Sequence, residues 1–228
     1  MPKQDIVDPH VGNFIESLRD IGYSFEVAVA DLIDNSITAK ASEIRIHTVV
    51  KPQLVFCLLD NGDGMTEKQL VEAMRLASKN PRDKREKNDL GRFGLGLKSA
   101  SFSQCKKLTV VTKKNSTVSV RTWDLEYISK KNKWYLITPA DFSKIPMIED
   151  LLRQKSGTLV CWEEIDRIDK NAFTASIDTL RKHLSLVFHR YLEGADRFKL
   201  LKITVNDNPL SPFNPFNTNH PATQQIAA

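Results

Sequence analysis

The sequence lacks any apolar run approaching the length that spans a bilayer, and its N-terminus lacks the basic-then-apolar pattern of a secretory leader. The expectation is a cytoplasmic chain without a membrane partner. Cysteine is scarce. Cys57, Cys105 and Cys161 stand far apart in apolar stretches, with neither zinc-ligand spacing nor a disulfide framework, which predicts reduced core thiols. Histidine shows no ligand or phosphoacceptor pattern: His10, His47, His183, His189 and His220 read as packing or surface residues. Neither sign of charge dominates, and a formal net charge of +5 permits contact with nucleic acid without establishing it. The lysines at 106, 107, 113 and 114 flank a strand and read first as solvated edge charges, with a nucleic-acid face as the sharper alternative. What is present is enough for one substantial core: 228 residues, 41% hydrophobic and 27% charged, suggest a single domain.

Helix and strand signals alternate along the chain. Residues 11–21 carry Phe14, Ile15, Leu18 and Ile21 at helical spacing. Ser24 is placed to cap a second helix over 25–39, apolar on more than one side. Strands are expected at 43–50 and 53–59, and Thr66 with Gln69 forms a capping box for a helix bearing Leu70, Met74 and Leu76. Residues 79–89 carry no apolar side chain except Pro81 and read as a solvated loop. After the glycines at 91–96 come a short helix, strands at 107–113, 117–123, 134–138 and 159–163, a long amphipathic helix over 173–192 and a strand at 200–205. The segment 209–228 is rich in Pro, Asn, Thr and Gln and reads as a linker or disordered tail. This alternation predicts a mixed sheet covered on one face by helices, an α/β sandwich.

Four segments carry chemistry. Asp31 and Asn35 are one helical turn apart and share a face, so an amide oxygen suited to magnesium lies beside a carboxylate able to deprotonate water. Asp34 is the substitute base, a third of a turn away. Asp60 ends an apolar strand and is followed by Gly62, Gly64 and Met65, giving an acceptor for an exocyclic amine beside backbone that can approach closely. Gly91, Gly94 and Gly96 lead into a helix, where unpaired amides and the helix dipole favour phosphate. Gly157-Thr158 opens a strand with a hydroxyl. Alone, each has an ordinary reading: a solvated helix face, a common Asp-Asn-Gly turn, a loop glycine. Two phosphate motifs are excluded by register. A P-loop needs Lys directly after its last glycine, and Leu97 separates Gly96 from Lys98; a dinucleotide fingerprint has its third glycine where Ser99 stands.

In this order, the four segments resemble those of the GHKL ATPases (gyrase, the ninety-kilodalton heat-shock chaperone, histidine kinases and MutL). The resemblance covers about residues 7–215. Within the superfamily it is greatest to the MORC and MutL branch, through Asp34-Asn35-Ser36, the run from Gly91 to Ser99, and Ile203-Thr-Val-Asn before Pro212-Phe-Asn-Pro-Phe. It implies an α+β, Bergerat-type sandwich with a mixed, mostly antiparallel sheet. A nucleotide-binding domain would span 1–208, with 79–93 as ATP lid. The implied cofactors are ATP and magnesium: Asn35 holds the metal and Asp31 acts as general base, where most of the branch carries Glu. Asp60, Gly62, Gly64, Met65 and Thr158 would surround adenine. Lys79, paired with Ser78, would lie near the phosphates, and the amides around Gly91, Phe93, Gly94, Leu95, Gly96, Leu97 and Lys98 would cradle them.

Because Asp is one methylene shorter than Glu, slow hydrolysis is expected. The resemblance further implies ATP-dependent homodimerisation through residues before about 22, a phosphate-sensing lysine from a following domain, and a role in restriction-like or phage-defence systems. Two alternatives remain open at this point: a non-hydrolysing ATP sensor or clamp, and a histidine-kinase-like domain.

Overall fold

The computed structural model of this chain describes residues 4–5, 7–20, 22–76, 96–169, 172–195, 198–216 and 223. Helices α1 (Val11–Arg19) and α2 (Phe25–Thr38) come first, followed by strands β1 (Glu43–Val49) and β2 (Val55–Asp60) and helix α3 (Glu67–Met74). Then come α4 (Gly96–Phe102), β3 (Cys105–Lys114), β4 (Thr117–Asp124), α5 (Leu125–Lys131), α6 (Ile148–Arg153) and β5 (Gly157–Ile165). The last elements are α7 (Phe173–Val187), α8 (His189–Glu193), β6 (Lys202–Val205) and the short β7 (Asn208–Pro209). The strands form one sheet in the order β4-β3-β5-β2-β1-β6-β7, with every pairing antiparallel except β1 with β6. This is the mixed, mostly antiparallel α+β sheet expected from the sequence.

Strand alternation sorts the side chains onto two faces. Phe56 and Leu58 of β2, Leu108 and Val110 of β3, and Val160 and Trp162 of β5 join the main core with Phe25, Val29 and Ile33 of α2, Leu70 and Met74 of α3, and Leu180 and Leu184 of α7. Phe56 and Trp162 stack with ring centroids 4.6 Å apart at its centre. The intervening residues Cys57, Leu59, Val111, Leu159 and Cys161 face the other way, where Ile148 and Leu151 of α6 and Phe142, Ile145 and Met147 give a thinner cover. The main helical layer thus lies on one face, and α6 covers part of the other.

Several local expectations are revised. The Thr66–Gln69 capping box forms in full, but Ser24 occupies the N-cap of α2 without a side-chain cap bond. The helix expected over 173–192 divides at Phe188 into α7 and α8. Residues 134–138 make only a single bridge, Thr122 with Ile137, and no strand. Helix α5, capped by the Asp124 carboxylate, and helix α6, entered through Met147 at φ +66°, were not anticipated. Pro209 pairs in β7 and Leu210 is buried, so the packed fold runs slightly past the expected boundary at 208.

Candidate functional site

The end of β2 carries a buried carboxylate with three hydrogen-bond donors around it. Asp60 is 4% exposed. Its Oδ1 accepts from the Gly62 amide at 2.9 Å and the Thr158 amide at 3.2 Å, and its Oδ2 accepts from the Ser36 hydroxyl of α2 at 3.0 Å. A carboxylate offers about four acceptor positions, so three donors orient it and leave one for an incoming N–H. Burial pushes its pKa up to about 6, against the lowering effect of those three hydrogen bonds.

Sheet register extends this cluster sideways. Asp60 lies opposite Thr158, and Thr158 lies opposite Thr112 on β3. Thr112 Oγ1 accepts from the Met65 amide at 2.8 Å, donates to the Gly157 carbonyl at 3.1 Å, and lies 3.3 Å from Thr158 Oγ1. Met65 is half-buried against the main core beside it. Thr112 was missed from the sequence, because a threonine inside a strand carries no motif of its own.

Two glycines make this floor possible through close approach of backbones. Gly64 has φ +61°, and a β-carbon there would stand 2.0 Å from the Lys113 carbonyl oxygen. A β-carbon on Gly157 would stand 2.2 Å from the Asp60 carbonyl oxygen. In both cases the space left by the missing side chain is filled by protein backbone. Gly64 is therefore required to seat the turn against β3, which differs from the sequence argument that its bareness serves the ligand.

Helix α2 connects this cluster to a second one. Phe25, Ala28, Val29, Leu32, Ile33 and Ser36 are buried, leaving Asp31 and Asp34 half-buried and Asn35 exposed. The Asn35 Nδ2 donates to the Asp31 carbonyl at 2.9 Å, which leaves Oδ1 as its outward ligand atom. One hard oxygen suits magnesium, which ordinarily keeps several waters and binds phosphate oxygens. The donor set therefore fits that ion. Asp31 Oδ2 lies 3.6 Å from the position a β-carbon would take on Gly96, so the carboxylate faces the first residue of α4. The Asp31 pKa is raised by burial, with an opposing hydrogen bond from the Tyr23 phenol. The Asp34 pKa rises to about 6, through burial first and the neighbouring Asp31 charge second.

The remaining sites divide between described and undescribed residues. Leu97 packs against the main core. Lys98 is 2% exposed, and its ammonium donates to the Ala73 carbonyl at 2.9 Å, so the side chain ties α4 to α3. Ser78, Lys79, Gly91, Phe93, Gly94 and Leu95, with the proposed lid over 79–93, lie outside the described residues. The lysines considered for nucleic acid all have protein acceptors: Lys106 bonds Glu126, Lys107 bonds Glu163, Lys113 bonds the Leu152 carbonyl, and Lys114 bonds Gln69 and the Gly64 carbonyl. No helix among the described residues is long and apolar enough to cross a membrane.

Residues 23–158, more than half of the chain, match the family described as histidine kinase-, DNA gyrase B- and HSP90-like ATPase. That interval opens at Tyr23, which bonds Asp31, and closes at Thr158, which bonds Asp60. Among individual proteins, the chain is 35% identical to the mouse ATPase MORC2B over 96 residues and 31% identical to human ATPase MORC2 over the same length. Each alignment covers 40% of this chain and 9% of the relative. It is also 29% identical to mouse MORC family CW-type zinc finger protein 3 over 134 residues, 57% of this chain and 14% of that protein. The aligned stretches are thus a small fraction of these relatives' length. With strands β1 to β4, the Asp60–Thr158 rung and the α2 carboxylates inside the matched interval, the chain belongs to the histidine kinase-, DNA gyrase B- and HSP90-like ATPases.

Proposed function

We propose that this chain binds ATP with magnesium and hydrolyses it slowly, in the manner of the MORC and MutL branch. The observation that carries the reading is the double role of α2. Its Ser36 holds the Asp60 carboxylate, while Asp31, more than one turn earlier, faces Gly96 at the head of α4. One helix thereby ties an amine acceptor to a phosphate-facing carboxylate. Asp60 accepts the adenine amine, with Thr158 and Met65 at its sides. The amides of residues 93–98 receive the phosphates.

Asn35 Oδ1 would be the protein ligand of magnesium, which offsets phosphate charge when bound. Asp31 takes the proton of the attacking water; its burial raises its basicity, and the Tyr23 hydrogen bond orients it. The same bond to Tyr23, on a carboxylate already one methylene short, is what favours the second reading of a non-hydrolysing sensor. Phosphate release from wild type against Asp31→Ala separates the two readings. Homodimerisation is proposed through the residues before about 22, where Val7 and Phe14 are exposed. Sedimentation with and without a non-hydrolysable analogue tests it.

The central test is calorimetry of ATP binding with magnesium and with a chelator, on wild type and Asn35→Ala. Tight wild-type binding that weakens with chelator and with Asn35→Ala is expected. Equal affinity in all four arms would remove magnesium and Asn35 from the reading.

A further inference from the structure

Cys57 and Cys161 are separated by 104 positions in sequence, yet β2–β5 register sets them directly opposite each other. Both are free thiols, fully buried on the thinly covered face of the sheet. Their sulfurs are 3.1 Å apart. A disulfide needs about 2.05 Å, so closing the bond requires a sulfur displacement of roughly 1 Å. Directly opposed residues of antiparallel strands have α-carbons about 4.5–5.5 Å apart. That range lies inside the about 4.4–6.8 Å that disulfides accept, so the backbone is already in place.

We propose that Cys57 and Cys161 form an oxidation-sensitive dithiol that closes to an intramolecular disulfide when a peroxide is the oxidant. The inference is independent of the nucleotide reading. A cavity of about 320 Å³ lies beneath residues 139–146, with Thr109, Thr122, Phe142, Ile145 and Cys161 among its lining. A peroxide is little larger than a water, which needs only about 10–15 Å³, so it fits the cavity; because Cys161 is fully buried, it reaches the sulfur only when the cover over residues 139–146 opens. Cys57 is not among the lining residues and stands beside Cys161 on the neighbouring strand.

The chemistry then runs in two steps. The Cys161 sulfur attacks one peroxide oxygen, the O–O bond breaks, and the departing hydroxide takes the thiol proton to leave as water. The Cys161 sulfenic acid that remains is attacked by the Cys57 sulfur, which forms the S–S bond and expels the hydroxyl with the second thiol proton as water. One peroxide is reduced to two waters while two thiols lose two electrons. The hydrogen bond with Cys57, and then burial, hold the Cys161 thiol protonated well above its ordinary range, so the reaction is slow and answers sustained oxidation. Cys105 is also buried but faces Ile165 across β3–β5, with no thiol opposite. It serves as an internal control. The bond would join the two strands three rungs from the Asp60–Thr158 pair, fixing the spacing of that pair covalently.

The test treats the intact, folded chain with hydrogen peroxide, quenches with acid, and alkylates remaining thiols in denaturant before non-reducing peptide mapping. A linked Cys57–Cys161 peptide is expected, lighter by two hydrogens, reversed by dithiothreitol, with Cys105 alkylated. In Cys57→Ser, where no resolving thiol remains, a dimedone adduct on Cys161 is expected. Three alkylated cysteines in peroxide-treated wild type, or a link that includes Cys105, would overturn the proposal. A Cys57→Ser chain without the Cys161 adduct would overturn the order of attack.

Discussion

Asp60 and Asp34 have pKa values raised to the same level, about 6, by different environments. Asp60 is sealed at a strand end and owes its shift to burial, partly offset by hydrogen bonds from Gly62, Ser36 and Thr158. Asp34 sits on the half-open face of α2 and owes its shift to burial together with the charge of Asp31. The first is an immobilised acceptor whose geometry is set by three donors. The second belongs to a pair of carboxylates that repel each other on the half-open face of α2. On the proposed function, one end of the site serves recognition and the other proton transfer, so substitutions at the two ends should separate affinity from turnover.

The largest effect is expected at the proton-transfer end. Asp31→Asn should lower phosphate release by about 10²–10⁴-fold, the usual worth of a general base, while ATP affinity changes only a few-fold. Phosphate release beside calorimetry checks this, and unchanged turnover would move the base to Asp34. At the recognition end, Asp60→Asn should weaken ATP binding by about ten- to a hundredfold, because an amide presents a donor where the adenine amine needs an acceptor. An unchanged dissociation constant in a variant with wild-type circular dichroism would contradict the adenine assignment.

A smaller, graded effect comes from pH. The carboxylate must be ionised to accept the amine most strongly, so binding releases a proton below the Asp60 pKa of about 6. Affinity for adenosine, which carries no phosphate titration, should fall about fivefold between pH 6 and pH 5 and stay nearly flat above pH 7. Asp60→Asn should abolish that slope. The smallest effect is expected for Thr112→Val, which leaves the Met65 amide and the Gly157 carbonyl without their shared partner. A destabilisation of about 1–3 kcal/mol in chemical denaturation is expected, with a modest loss of affinity. Wild-type stability would show that Thr112 is not needed to brace the floor.

The readable part of the sequence was local. Asp31 and Asn35 fall one turn apart on a helix whatever surrounds them, and Thr66 with Gln69 forms its cap from two residues three positions apart. Failures occurred where partners were distant or elements short. Residues 134–138 look β-like but only Ile137 finds a bridge partner, so propensity without a neighbouring strand produced no strand. Met147 enters α6 in a left-handed conformation that its side chain does not advertise. The cysteines were read correctly as core thiols, but nothing in their spacing brings Cys57 to Cys161.

By itself the sequence determined the order of the elements from α1 to α3, the apolar character of β2, and the residue types able to meet an amine, a metal and a phosphate. Those properties follow from dihedral preference and side-chain chemistry, which act over a few residues. Only the tertiary structure decided that Thr112, Thr158 and Asp60 stand in one row, that Ser36 reaches Asp60, and that Asp31 faces Gly96. Each of those depends on strand register or helix-on-sheet packing, where long-range burial selects one pairing and a shift of one residue would turn every side chain to the opposite face.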